Sequence, residues 1–96
     1  MLVLITYDVN TETIAGQKRL RKVARLCEKY GQRVQNSVFE CILDSSQYVQ
    51  VKHLLTEQID LSIDSLRFYR LGNNYDNKVE YIGKKPCIMQ DDILIL

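Results

Sequence analysis

Tryptophan is absent from this 96-residue chain, and histidine and proline occur once each, as His53 and Pro86. A single histidine forms no ligand cluster and reads as an exposed helix residue. The three cysteines, Cys27, Cys41 and Cys87, are an odd number with no C-x-x-C spacing. That pattern argues against a zinc site and against a disulfide framework, and reduced thiols serving as small core residues fit it best. Long apolar runs are missing too. The N-terminal run has no basic region and is interrupted by Asp8, the wrong pattern for a signal peptide. Nothing approaches the length of a membrane span. The expectation is a cytoplasmic protein with no membrane partner. Net charge is equally scarce, at +1, and the total says nothing about partners until it is divided along the chain.

That division is uneven. Residues 1–43 hold seven bases (Lys18, Arg19, Arg21, Lys22, Arg25, Lys29, Arg33) against four acids (Asp8, Glu12, Glu28, Glu40). The rest of the chain holds six bases against eight acids. Positive charge is therefore concentrated between positions 18 and 33. With 46% hydrophobic and 26% charged residues, the composition is that of an ordinary globular protein of one domain.

Leu2 to Tyr7 reads as a strand with apolar residues on both faces, Leu2 and Leu4 on one and Val3, Ile5 and Tyr7 on the other. Such a strand belongs in the middle of a sheet covered twice. Asn10-Thr-Glu-Thr13 supplies turn and cap chemistry. Leu20, Val23, Ala24, Cys27 and Tyr30 then recur at helical spacing over 17–30, and Gly31 is placed as a C-cap. Arg33 to Leu43 is strand-like, as one bent strand or two joined ones, with Val34, Val38 and Ile42 facing one way and Phe39, Cys41 and Leu43 the other. Asp44 and Gln47 have capping-box spacing before a second helix striped by Tyr48, Val51, Leu54, Leu55 and Ile59. Ser62 to Leu71 is a further strand, broken by Gly72-Asn-Asn. Lys78–Ile82 reads as an added edge strand.

The order β-α-β-(β)-α-β predicts an α+β, ferredoxin-like split βαβ: an antiparallel sheet with two helices on one face. The domain is expected over 1–83, with 84–96 as a C-terminal tail that docks on a sister subunit or a partner. The apolar second face of the first strand predicts a two-fold homodimer closed sheet against sheet.

Asp8, at the tip of a buried strand, has two readings. It starts a turn before Asn10, or it is a metal ligand. A two-fold axis near it would bring two carboxylates together, and Mg²⁺ is held by one or two carboxylates with waters and phosphate oxygens. The run Lys18-Arg-Leu-Arg-Lys22 with Arg25 contains no acid for internal ion pairs, so it is a solvated helix face or a contact for nucleic acid. Polar Gln35, Asn36 and Ser37 interrupt an apolar strand and should face an interface, a ligand or water. Arg33 is available to a phosphate, whereas Phe39 reads as core. The aromatic signature of an RNA-recognition sheet is absent.

The stretches "MLVLITYDV", "KRLRKVARLCEKYGQRVQNSVFEC" and "SLRFYRLGNNY" resemble the CRISPR-associated protein 2 family, with the similarity running from Leu2 to about Gly83. The resemblance implies a ferredoxin-like homodimer in which the strand-end Asp8, with Tyr7 beside it, meets its mate and binds Mg²⁺, or Mn²⁺ in its place. It implies an endonuclease acting on single-stranded RNA or double-stranded DNA during integration of new spacers in antiviral defence. The family's alternative role is a non-catalytic adaptor that bridges integrase dimers and holds spacer DNA. Asp8, Tyr7, Arg33 and Phe39 match its catalytic positions. Arg19, Arg21, Lys22, Arg33 and Ser37 match its nucleic-acid contacts.

Overall fold

The alternation of Leu2–Asp8 is realised in strand β1 of the computed structural model, which describes residues 1–83. Val3 and Ile5 are fully buried and Tyr7 nearly so, whereas Leu4 and Thr6 are half-buried and Asp8 is exposed. Helix α1 spans Ile14–Tyr30. It begins three residues before Gln17 because the Thr13 hydroxyl accepts the Gly16 amide at 3.0 Å and caps it. Gly31 donates its amide to the Cys27 carbonyl at the helix end, yet its backbone is extended (φ −163°) and opens the next strand. It is the C-cap that its place in the sequence indicated. Glycine is needed there because a Cβ would run into the Glu40 carbonyl and the Cys41 sulfur.

Gly31–Gln35 forms β2 and Val38–Ile42 forms β3, two strands joined through Asn36 and Ser37. Helix α2, Ser45–Gln58, starts on the expected capping box: Asp44 Oδ1 accepts the Gln47 amide at 2.7 Å, and Gln47 Oε1 accepts the Asp44 amide at 3.0 Å. Strand β4 is Ser65–Gly72. It starts later than Ser62 because Asp60 winds the preceding residues into a turn, accepting the Ser62 amide and hydroxyl on its carboxylate and the Ile63 and Asp64 amides on its carbonyl.

The strands lie in the order β2-β3-β1-β4, all antiparallel, which is the split βαβ arrangement. Val23 and Cys27 of α1 and Val51 and Leu55 of α2 close over Val3, Ile5, Phe39 and Cys41. Each large side chain buried there contributes roughly 1.5–3 kcal/mol. The other sheet face carries Leu4, Thr6, Val38, Glu40, Ile42 and Tyr69, and its Ile42 is 65% exposed.

One expected element is corrected. Lys78–Ile82 forms no strand: 76–78 make a turn, and the Lys78 ammonium is drawn back to the Leu71 carbonyl at 2.9 Å. The tail expected to dock, 84–96, lies outside the described residues, as does Cys87. No helix among the described residues is long and apolar enough to cross a membrane.

Candidate nucleic-acid and metal site

Asp8 ends β1 at the place where three segments meet. Across from it on one side is Ser65, the first residue of β4. On the other side the Tyr7 amide donates to the Ser37 carbonyl at 3.1 Å, so the β2–β3 turn lies against the same strand end. Strand alternation sends the Asp8 side chain to the open face with Leu4 and Thr6. It sends Tyr7 to the helix face.

Neighbours in sequence are thus separated in space. Tyr7 stacks on Phe39 with ring centroids 6.1 Å apart, and the Arg33 guanidinium lies 5.1 Å from the Phe39 centroid. The Tyr7 hydroxyl donates to the Asn36 carbonyl at 3.4 Å, and Arg33 Nη1 donates to the same oxygen at 3.3 Å. Arg33 Nη2 also reaches Glu28 Oε1 at 3.3 Å. This cluster holds the β2–β3 turn in shape. Burial pushes the Tyr7 phenol up, with Arg33 offsetting only part of the effect. At neutral pH it is therefore protonated and serves as a donor, not as a base. Phe39 is fully buried, packed between Tyr7 and Arg33, the place its apolar character indicated. Ser37 is half-buried, with its carbonyl engaged by β1.

The basic helix divides as well. Lys18, Arg21, Lys22, Arg25 and Lys29 are all exposed. At 100° per residue they fall within an arc of about 100° and extend along about 16 Å of helix. Arg19 departs from this stripe. Its Nε donates to Asp64 Oδ2 at 2.7 Å and its Nη2 to Asp64 Oδ1 at 3.4 Å, with the Asp64 side chain fully buried. Arg19, expected to contact nucleic acid, has its fork engaged by Asp64 in this structure. The acid that neutralises it is 45 residues away, beyond the reach of any intrahelical count.

Asp64 is the residue that sequence reasoning missed. It also accepts the Asn10 amide on Oδ1 and the Asp60 amide on Oδ2, each at 2.9 Å. Burial pushes its carboxyl up, but the Arg19 hydrogen bond and those two amides outweigh burial and hold it below the usual carboxylate value. Its only local signal was a second aspartate four residues after Asp60, just before a strand. Burial also raises the Cys27 thiol to about 12 and Cys41 to about 11. They are inert core groups, as their composition suggested.

Among the described residues no group of three or more His, Cys, Asp or Glu side chains could enclose a metal. At the end of β1 the carboxylate open to a cation is that of Asp8. An antiparallel ferredoxin-like domain presenting that carboxylate on one layer and a basic helix on the other is the class of protein the geometry defines.

Comparison with known proteins narrows the class. Residues 1–79 match the family described as CRISPR associated protein Cas2. The chain is 65% identical over 95 residues to the CRISPR-associated endonuclease Cas2 of Halalkalibacterium halodurans, covering 99% of each. It is 53% identical to the CRISPR-associated endoribonuclease Cas2 of Nitratidesulfovibrio vulgaris, covering all of this chain and 94% of that one. The crystal structure of Streptococcus pyogenes Cas2 at pH 6.5 superposes with a TM-score of 0.75 at 61% identity, over 86% of this chain and all of that one. This chain belongs to the CRISPR-associated Cas2 family.

Proposed function

We propose that the chain is a Mg²⁺-dependent endonuclease, with Mn²⁺ able to substitute, that cuts phosphodiester bonds of single-stranded RNA or double-stranded DNA. It works as a homodimer, alongside an integrase subunit, in the cytoplasm where new spacers enter the CRISPR array. The observation that carries this reading is Asp8, an exposed carboxylate at the end of a central strand. Relatives that match almost the whole chain are named endonuclease and endoribonuclease. The donor chemistry fits the cation. Mg²⁺ takes hard oxygen ligands, and one or two carboxylates with water and phosphate oxygens suffice for it. Asp8 of each protomer would hold it across the dimer. When bound, Mg²⁺ supplies Lewis-acid polarisation of the scissile phosphate.

The remaining work belongs to the chain. The α1 stripe grips flanking phosphates without reading bases, so it orients the strand and carries no sequence preference. Ile42 and Tyr69 leave apolar area on the open face, which a second sheet would cover. Hydrolysis adds water oxygen to phosphorus, breaks the bond to the leaving sugar oxygen and protonates that oxygen.

A second reading is favoured by one feature. Among the described residues Asp8 belongs to no group of three or more His, Cys, Asp or Glu side chains. That suits a non-catalytic adaptor holding spacer DNA between integrase dimers. The deciding experiment compares wild type and Asp8→Asn, free of contaminating nuclease, on paired RNA and DNA substrates with metal and with chelator. The enzyme reading expects at least a hundredfold loss in the variant and in chelator. No cleavage by wild type above the protein-free control, with integrase binding intact, leaves the adaptor. Light scattering tests the dimer, and a stable monomer near 11.2 kDa would exclude it.

A further inference from the structure

The segment that follows Asp8 is held from three directions. The Asp64 carboxylate accepts the Asn10 amide at 2.9 Å, two residues beyond Asp8. A Cβ on Gly16 would run into the Asn10 carbonyl, so the first turn of α1 presses directly on the same residue. Thr13 caps that turn through the Gly16 amide. Asp64 itself precedes Ser65, the residue registered opposite Asp8 across the sheet. One buried carboxylate therefore touches both chain segments flanking Asp8. Through Arg19 it also grips α1, at 2.7 Å from Nε to Oδ2.

We propose that the Arg19–Asp64 pair is a positioning device that sets the Asp8 carboxylate at the strand end and fixes its placement relative to the basic stripe of α1. The inference rests on the reading that Asp8 is the acting carboxylate. Its physical basis is the way the bonds are shared. Asp64 Oδ1 binds Asn10 and the outer nitrogen of Arg19, while Oδ2 binds Asp60 and Nε. A planar fork on a planar carboxylate fixes orientation as well as distance. Any rotation of Asp64 would therefore move Asn10 and α1 together. Lys18, Arg21 and Lys22 flank Arg19 on the same helix, so the clamp couples where phosphates are gripped to where a bond would be cut. Neither Arg19 nor Asp64 acts on substrate. Asp64 is buried, and Arg19 acts through it.

The test uses the full-length chain with Arg19→Gln, Arg19→Lys and Asp64→Asn, each compared with wild type by amide NMR during titration with MgCl₂ alone and then by oligonucleotide cleavage. Arg19→Gln and Asp64→Asn should displace the Asp8 and Asn10 amide resonances before metal is added. They should raise the Mg²⁺ midpoint read at Asp8 about fivefold, and lower kcat about tenfold with KM changed less than twofold. Arg19→Lys keeps the charge but loses the fork, and it should recover part of the midpoint and of kcat. It is also the variant that most securely folds. If folded variants keep wild-type Asp8 and Asn10 resonances and the wild-type Mg²⁺ midpoint, the pair is scaffold only and the proposal is wrong. A fall in thermal stability with those readouts unchanged overturns it equally. Asp8→Asn is run alongside. Should it cleave as wild type does, the nuclease reading fails, while the resonances and the metal midpoint still judge the positioning claim.

Discussion

Asp8 and Asp64 lie at the same end of the sheet, on paired strands or next to them, and have opposite surroundings. Asp8 is exposed on the open face. The Asp64 side chain is fully buried and receives Arg19 and the amides of Asn10 and Asp60. The same side chain is thus used once for what it can present to solvent and once for what it can gather from the fold. A buried carboxylate is costly unless its oxygens are satisfied, so Asp64 tolerates no loss of its donors. An exposed carboxylate keeps its lone pairs for a ligand. The difference teaches that two aspartates a few residues from the same strand end can have opposite surroundings, one left open to solvent and one spent on holding the fold.

The sharpest way to break that comparison is to remove each acid. Asp64→Ala leaves two part-buried amides without their acceptor and releases the partly exposed Arg19, and with each unsatisfied amide costing about 1–3 kcal/mol it should lower unfolding free energy by about 3 kcal/mol. Asp8→Ala should leave the urea midpoint where it is. Urea unfolding at one fixed protein concentration measures both. Equal losses would mean that Asp8 is structural too.

A somewhat smaller effect is expected at Gly16. Substituting alanine forces the β1–α1 segment away from the helix, because the nearest atom is the backbone carbonyl of Asn10 and not a flexible side chain. About 2 kcal/mol of destabilisation follows from such overpacking. A neutral Gly16→Ala would show that this segment yields freely.

Much of this architecture was legible in the chain and part was not, for a physical reason. Alternation in Leu2–Asp8, the Asp44–Gln47 capping box and the helical spacing of Val23 and Cys27 are local patterns, and each became the element it indicated. What escaped was non-local. Nothing near Arg19 reveals Asp64, whose identity as its partner depends on the α2–β4 turn folding back beneath α1. The opposite facing of Tyr7 and Asp8 was visible in principle, since adjacent strand residues always part. The resemblance grouped them by sequence, and the sheet put them on different layers. The edge strand expected at Lys78–Ile82 failed because Lys78 turns back on the Leu71 carbonyl.

Acidification should test Asp64 next. Arg19 and the two amides hold the Asp64 carboxyl below its ordinary value against the opposing effect of burial. A carboxyl whose folded value is depressed contributes stability that is fully present above its unfolded value. That contribution is lost as pH falls through the folded value. Wild type should therefore lose more stability than Asp64→Asn across that acid window, and the two curves should converge at its lower end. Parallel curves throughout would mean that Asp64 binds no fewer protons folded than unfolded.

The smallest effect concerns the basic helix, where the comparison reappears among arginines. Arg19 is engaged with Asp64, whereas Arg21 and Lys22 are exposed on the stripe. Counterion release makes the logarithm of binding fall with the logarithm of salt, by about one unit of slope for each phosphate contact. Arg21→Ala with Lys22→Ala should accordingly reduce the slope by about two units on any sequence, and leave the unfolding midpoint alone. Arg19→Ala should do the reverse, lowering stability while the slope holds. Fluorescence anisotropy with one labelled duplex and one labelled single strand, across a salt series, reads the slopes. If Arg19→Ala removes a full unit of slope, its guanidinium leaves Asp64 for a phosphate when nucleic acid binds. If the double variant changes no slope, the stripe is a solvated helix face, and any phosphate contacts lie elsewhere on the chain.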